Sequence, residues 1–233
     1  MKKHLVASAL MCGLSPLASA DVINFDDLAT GTIVDSEYAS IVNISVDNKR
    51  IGAPDLGVVF DTNSYTGGDS DLQGPFKTGN PDLSNAFSPG HVLIIQEHSY
   101  SCGADICTNP DDEGSRPAGT FFFDFKTVIT LESIDFFDVE TAENGTGPNN
   151  AIKLFDAADN EIMPNTFYSP GTGGDNMWDQ LTFNVDGVKR IALNLGGSGA
   201  IDNIRYSVVP IPPAVWLFVS GLIGLAGLTR RKT

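Results

Sequence analysis

Between Val22 and Tyr206, short runs rich in Val, Ile, Phe and Thr alternate with turns rich in Gly, Asn, Asp and Pro, and no stretch reads as a long helix. That rhythm restricts the chain to an all-β fold, because β-branched and aromatic residues suit a pleated surface and the turn residues end each run after a few positions. Strands are expected at 22–25, 41–46, 57–61, 91–98, 119–125, 127–140, 151–156, 180–185, 189–195 and 199–206. Within 189–195, Ile191, Leu193 and Leu195 share one face and Ala192 and Asn194 the other, as a strand with one buried side requires. Segment 156–162 reads as a turn joining two strands, and Asp186-Gly187 carries the signal of a two-residue hairpin. Successive strands are then mostly antiparallel. With no repeat at fixed period and no long linker, residues 21–207 form one domain, large enough to bury a core without help from a disulfide. The expected architecture is an antiparallel β-sandwich of jelly-roll type.

Both ends depart from this pattern. Lys2 and Lys3 precede an apolar run at 5–14, and Leu17-Ala18-Ser19-Ala20 offers the small residues that a signal peptidase reads. This predicts a signal peptide at 1–20, cut before Asp21, and an exported protein. At the other end Ser220 is the only polar side chain between Ala214 and Leu228, so no amphipathic face can be drawn. The 18 residues of 211–228 come close to the roughly 20 that a membrane-spanning helix needs. Arg230, Arg231 and Lys232 behind them hold the C-terminus on the cytoplasmic side and leave the β domain outside.

Without the two end segments the domain keeps 9 basic residues against all 29 acidic ones, a net charge of −20. Such a surface repels nucleic acid and anionic lipid and attracts cations, with calcium the first to consider. Cys102 and Cys107 remain, and in an oxidising compartment this isolated pair forms a local disulfide. Zinc is the weaker alternative, since His91 and His98 stand at no ligand spacing from a Cys-x-x-Cys pair.

The order of parts in the tail says more than its hydropathy. Val209-Pro210-Ile211-Pro212-Pro213 is followed by an aromatic step at Trp216-Leu217-Phe218, by Gly221, Gly224 and Gly227, and by the basic cluster. Segment 208–233 closely resembles the C-terminal sorting signal of the PEP-CTERM group, in its VPLPA-CTERM form, with Ile211 in place of Leu and Pro213 in place of Ala. The resemblance implies that an exosortase-type membrane enzyme of a Gram-negative bacterium cuts near the Pro-rich element. An inner-membrane intermediate then passes to the cell surface or to an extracellular matrix rich in polysaccharide. A simple tail anchor would share the topology and lack the cleavage. The domain itself, through "TGGDSDL", "GHVLIIQE", "PDDEGSRPAGTFFFDF" and "SGAIDNIRY", looks like a recurring exported β-sandwich of this sorting group, a likeness that transfers no activity.

Two acidic constellations suggest structural Ca2+. In 60–76, Asp61, Asn63, Asp69 and Asp71 surround Gly67-Gly68, and hard oxygen ligands on a turning loop suit calcium, although the spacing is not that of an EF-hand. The alternative is a solvated acidic loop. The second constellation rests on likeness: in carbohydrate-binding jelly rolls a calcium commonly ties first-strand acids to an Asp of the last strand, and Asp26, Asp27 and Asp202 are placed that way. Turn and capping hydrogen bonds would explain the same acids. The phrase "NPDDEG" at 109–114 reads as a further solvated turn or a calcium loop.

Catalysis has little to build on. Asp135, Asp138 and Glu140 are the best carboxylates for glycoside hydrolysis, but an exposed strand edge accounts for them, and among so many acids a pair can always be found. "GGSGA" at 196–200 lacks the last glycine of a nucleophile elbow, and a triad would have to use His91 or His98. The chain is therefore expected to be no enzyme. Trp178, with Tyr65, Tyr100 and Tyr168, lies in expected loops and is the candidate for stacking on a sugar. The reading is an exported, matrix- or surface-sorted structural or adhesive protein. A calcium-stabilised carbohydrate-binding module is the first alternative and a polysaccharide-active hydrolase the second.

Overall fold

Among the described residues the apolar runs become nine strands: β1 (Ala20–Ile23), β2 (Val42–Asn48), β3 (Gly57–Asp61), β4 (His91–Ile95), β5 (Gly119–Phe137), β6 (Ala151–Phe155), β7 (Glu161–Tyr168), β8 (Trp178–Leu195) and β9 (Ala200–Val208). The computed structural model describes residues 20–64, 69–112 and 115–208. Every pairing between these strands is antiparallel, as the turn chemistry requires. The expected signal peptide and the sorting tail with its membrane span at 211–228 lie outside the described residues, as do Tyr65, Gly67 and Gly68. Among the described residues no helix is long and apolar enough to cross a membrane.

Two long strands organise the sheet. β5 and β8 pair from Gly119 opposite Leu195 to Phe137 opposite Trp178. The first half of β5 has β2 as its other neighbour, with Phe125 opposite Val42, and the second half has β9, with Phe137 opposite Ala200. β6 joins the end of β8 and β7 joins β6, while β4 and then β3 continue from the start of β9 and β1 lines its end. Where the neighbours of β5 change, its ladder with β8 shifts register.

That shift corrects the expected hairpin at Asp186-Gly187. Ile129 faces Val188 and Leu131 faces Val185, so two residues of β8 oppose Thr130 alone, and Gly187 takes its positive φ of 83° inside a bulge. The Thr130 hydroxyl donates to Asp186 Oδ1 at 2.6 Å, and the expected strands 180–185 and 189–195 run on as one. Likewise 119–125 and 127–140 merge into β5, which ends at Phe137. β7 was not among the expected strands; its Pro164 breaks the pattern and is tolerated because β7 is an edge.

Alternation along the strands builds two apolar clusters. Phe121, Phe123 and Phe125 of β5 and Ile191, Leu193 and Leu195 of β8 are buried together in the larger one. β3 and β4 are covered on both faces: Val59, Leu93 and Ile95 enter the larger cluster, and Val58, Phe60, Val92 and Ile94 enter a second. Leu72 and Phe76 from the long β3–β4 connection close that second cluster, together with Phe137 and Trp178. Cys102 and Cys107 stand at disulfide-bonding distance, 2.02 Å. Their loop adds short pairings to the β1–β2 connection, Cys107 N donating to Gly31 O at 2.8 Å and Ile33 N to Asp105 O at 3.0 Å.

Candidate functional site

Beyond the end of β5 the chain turns at Asp138, whose backbone takes φ 58° and whose N–H donates to Met177 O at 2.9 Å. At the next residue Thr172 N donates to Val139 O at 2.9 Å and Val139 N donates to Thr172 Oγ1 at 3.0 Å. This fixes the start of the turn Gly173-Gly174-Asp175-Asn176, in which both glycines and Asn176 have positive φ. A third segment, the single 3-10 turn Ser70–Leu72 of the β3–β4 connection, is held against it. The Asn176 side-chain amide reaches Ser70 O at 2.9 Å, Asp71 O at 2.9 Å and Gln73 O at 2.7 Å, and Asn176 N donates to Asp71 O at 2.8 Å.

The result is a convergence of carboxylates. Asp71, Asp138 and Asp175 each offer an oxygen, all within 4.8 Å of one another, the first half-buried, the second buried and the third exposed. Asp69 and Asp112 are buried behind them: Asp112 N donates to Asp69 Oδ2 at 3.3 Å and Gly199 N to Asp112 Oδ2 at 2.6 Å. Burial, then the charges of Asp71 and Asp175, push the Asp138 carboxyl up to about 8. Burial and the Asp69 charge push Asp112 well above the ordinary carboxylate range. Among the described residues no cationic side chain pairs with Asp71, Asp112, Asp138 or Asp175; Arg116 bonds instead to Glu143 at 2.7 Å and Glu140 at 3.0 Å.

The structure divides the first expected calcium loop. Asp71 joins the convergence and Asp69 stands behind it, whereas Asp61 Oδ1 accepts from Asn63 N at 2.9 Å in a local turn. Asp26, Asp27 and Asp202 of the second set do not bring three oxygens within 4.8 Å of one another, although Asp26 lies near enough for its charge to act on Asp202. Asp26 Oδ1 accepts from His91 N at 3.0 Å, Asp27 Oδ1 accepts from the Tyr38 hydroxyl at 2.5 Å, and Asp202 is fully buried on β9. Burial first, then the charges of Asp135 and Asp26, push the Asp202 carboxyl to about 9, and the adjacent Asn203 N–H lowers it only in part.

Other expectations are corrected by burial. Asp135 and Asp138 are not an exposed strand edge but 1% and 2% exposed, and Asp111 and Asp112 of "NPDDEG" are buried rather than solvated. Asp135 Oδ1 accepts from Gln180 Nε2 at 2.7 Å and from Arg205 at 3.1 Å. Trp178 lies in the second apolar cluster, 4.5 Å from the Phe87 ring centroid, and its indole N–H donates to Ser84 O at 3.0 Å. Its ring therefore offers no face to a sugar. A second convergent group, Glu97, His98 and Asp111, already holds a counter-ion, since Arg50 pairs with Glu97, and His98 Nε2 lies 2.8 Å from the same carboxylate.

Nothing in the local sequence joins Asp138 and Asp175 to Asp71, because the three lie on segments far apart in the chain. One signal was available: Thr-Gly-Gly-Asp occurs twice, at 66–69 and 172–175, and acids within or just beyond each copy meet in the structure. The chain matches no protein-family model and no curated protein.

Proposed function

We propose that the chain is an exported protein, delivered by an exosortase-type system to the surface or extracellular matrix of a Gram-negative bacterium. Its domain is a sandwich of jelly-roll type with a structural or adhesive role among polysaccharides. The tail carries this reading: the Val-Pro-x-Pro element at 209–212, Trp216, the spaced glycines and Arg230-Arg231 follow directly on β9. A structural role is favoured over a carbohydrate-binding module because the Trp178 ring is enclosed by Phe87 and Phe137. It is favoured over a hydrolase because the Asp135 carboxylate is held between Arg205 and Gln180.

Expression in a host that contains an exosortase, followed by fractionation and intact mass of the product, tests the reading. The wild-type chain is expected outside the inner membrane with a C-terminus inside the Pro-rich element. A variant with Pro210→Ala and Pro212→Ala is expected to stay in the inner membrane with Arg230 and Arg231 retained. A wild-type product that keeps its basic tail would overturn the proposal in favour of a plain anchor.

A further inference from the structure

We propose that Asp71, Asp138 and Asp175 form a calcium-binding site that staples the β3–β4 connection to the ends of β5 and β8. The inference is independent of how the protein is sorted. Three separated segments bring one carboxylate oxygen each to within 4.8 Å of the other two. Oxygens this close can share one cation, and calcium accepts the irregular shell of about 6 to 8 oxygens that carboxylates from three loops and added water can form, whereas magnesium demands near-ideal octahedral geometry. All the ligands are hard oxygens, with no His or Cys in the group, which selects against zinc and copper.

A cluster of acids on a surface needs no ion, but Asp138 is not on the surface. It is 2% exposed, and its Oδ1 has no hydrogen-bond partner among the described residues. Burying a carboxylate without a partner is costly, and the charges nearest to it, Asp71, Asp175, Glu143 and Glu140, all worsen the cost. A cation bound between Asp138, Asp71 and Asp175 attracts all three carboxylates and offsets this repulsion. Asp112, buried behind the group, likewise has its Oδ1 without a hydrogen-bond partner among the described residues.

The site is also accessible and built in advance. Beside it opens a cavity of about 570 Å³ lined by Glu140, Thr141, Gly173, Gly174 and Asp175, wide enough for a hydrated ion to enter and shed water at the exposed Asp175. The three bonds of the Asn176 amide fix the Asp71 turn against the Asp175 turn, so little order has to be imposed on binding.

The test uses the full chain, purified in detergent and stripped with chelator, with calcium or magnesium added singly while calorimetric binding and thermal unfolding are followed. Terbium luminescence sensitised by Trp178, next to Met177 in the chain, gives a direct reading of occupancy. Calcium at a hundred-fold excess over its Kd is expected to raise Tm by roughly 5–10 °C, and magnesium by much less. Asp175→Asn alters an exposed position and should fold, yet lose both the calcium shift and the terbium signal. Asp35→Asn, an exposed acid outside the convergent group, should keep both. No calcium shift, equal shifts with the two metals, or a shift that survives in Asp175→Asn would each overturn the proposal.

Discussion

Asp202 shows what a single residue can demand of this domain. It sits on β9 opposite Asp135, feels the charges of Asp26 and Arg205, and has both oxygens buried, with the adjacent Asn203 N–H offsetting that burial only in part. Its folded carboxyl, near 9, lies above an unfolded value of about 4, so the folded state prefers the protonated form. Stability from this group is complete below about pH 4 and drains away as pH rises toward 9. Asp202→Asn, which mimics the protonated acid, is expected to leave Tm almost unchanged at pH 4. At pH 8–9, in chelator, it should stabilise the domain by roughly 1–3 kcal/mol, the cost of a buried unmatched polar group. Thermal unfolding across that pH range checks it, and parallel curves for the two proteins would contradict the account. The sequence marked Asp202 as notable but for a different reason, because acidity is local whereas burial depends on which strands lie alongside.

At the scale of elements, Phe137 joins β5 to everything packed outside β3 and β4. Its ring lies 4.8 Å from Phe76 and 6.2 Å from Trp178, and it is fully buried. Phe137→Ala should cost about 3–5 kcal/mol, a large share of the roughly 5–15 kcal/mol that stabilises a domain. A red shift of Trp178 emission should accompany the loss, and an unshifted spectrum would mean that the second cluster does not depend on this ring. Elements of this kind were legible where alternation was clean: 57–61 became β3 as expected, and Ile191, Leu193 and Leu195 fill one buried face. They were misread at Asp186-Gly187, since the same dipeptide can turn a chain or widen a ladder. Only the partner strand, here Thr130 on β5, decides between the two.

For the whole molecule, the excess of acid outweighs every other electrostatic feature. A net charge of −20 over residues 21–207 repels itself, and the ion pairs that engage Arg50, Arg116, Arg190 and Arg205 consume cations without lowering the total. Raising sodium chloride from about 10 to 500 mM, where the Debye length falls from about 30 Å to a few ångströms, is expected to raise Tm by a few degrees through screening. Scans at a series of salt concentrations check this, and a flat or falling Tm would show that repulsion is not limiting. The all-β, antiparallel class was legible from turn chemistry alone. The strand order was not, because β9 brings β1 and β5 to its two sides from distant parts of the chain.

That last pairing bears on how the domain carries load. β1 and β9 are antiparallel with Ala20 opposite Ser207, so both ends of the described unit leave from the same place. A force pulling those ends apart opens the pair one rung at a time, like a zip, and meets little resistance. A force from the C-terminal side against something gripped at the far end of the sheet instead pulls β9 along its length against β5, loading their hydrogen bonds together. A tether attached after Val208 with cargo held on the opposite rim is the mechanically strong arrangement.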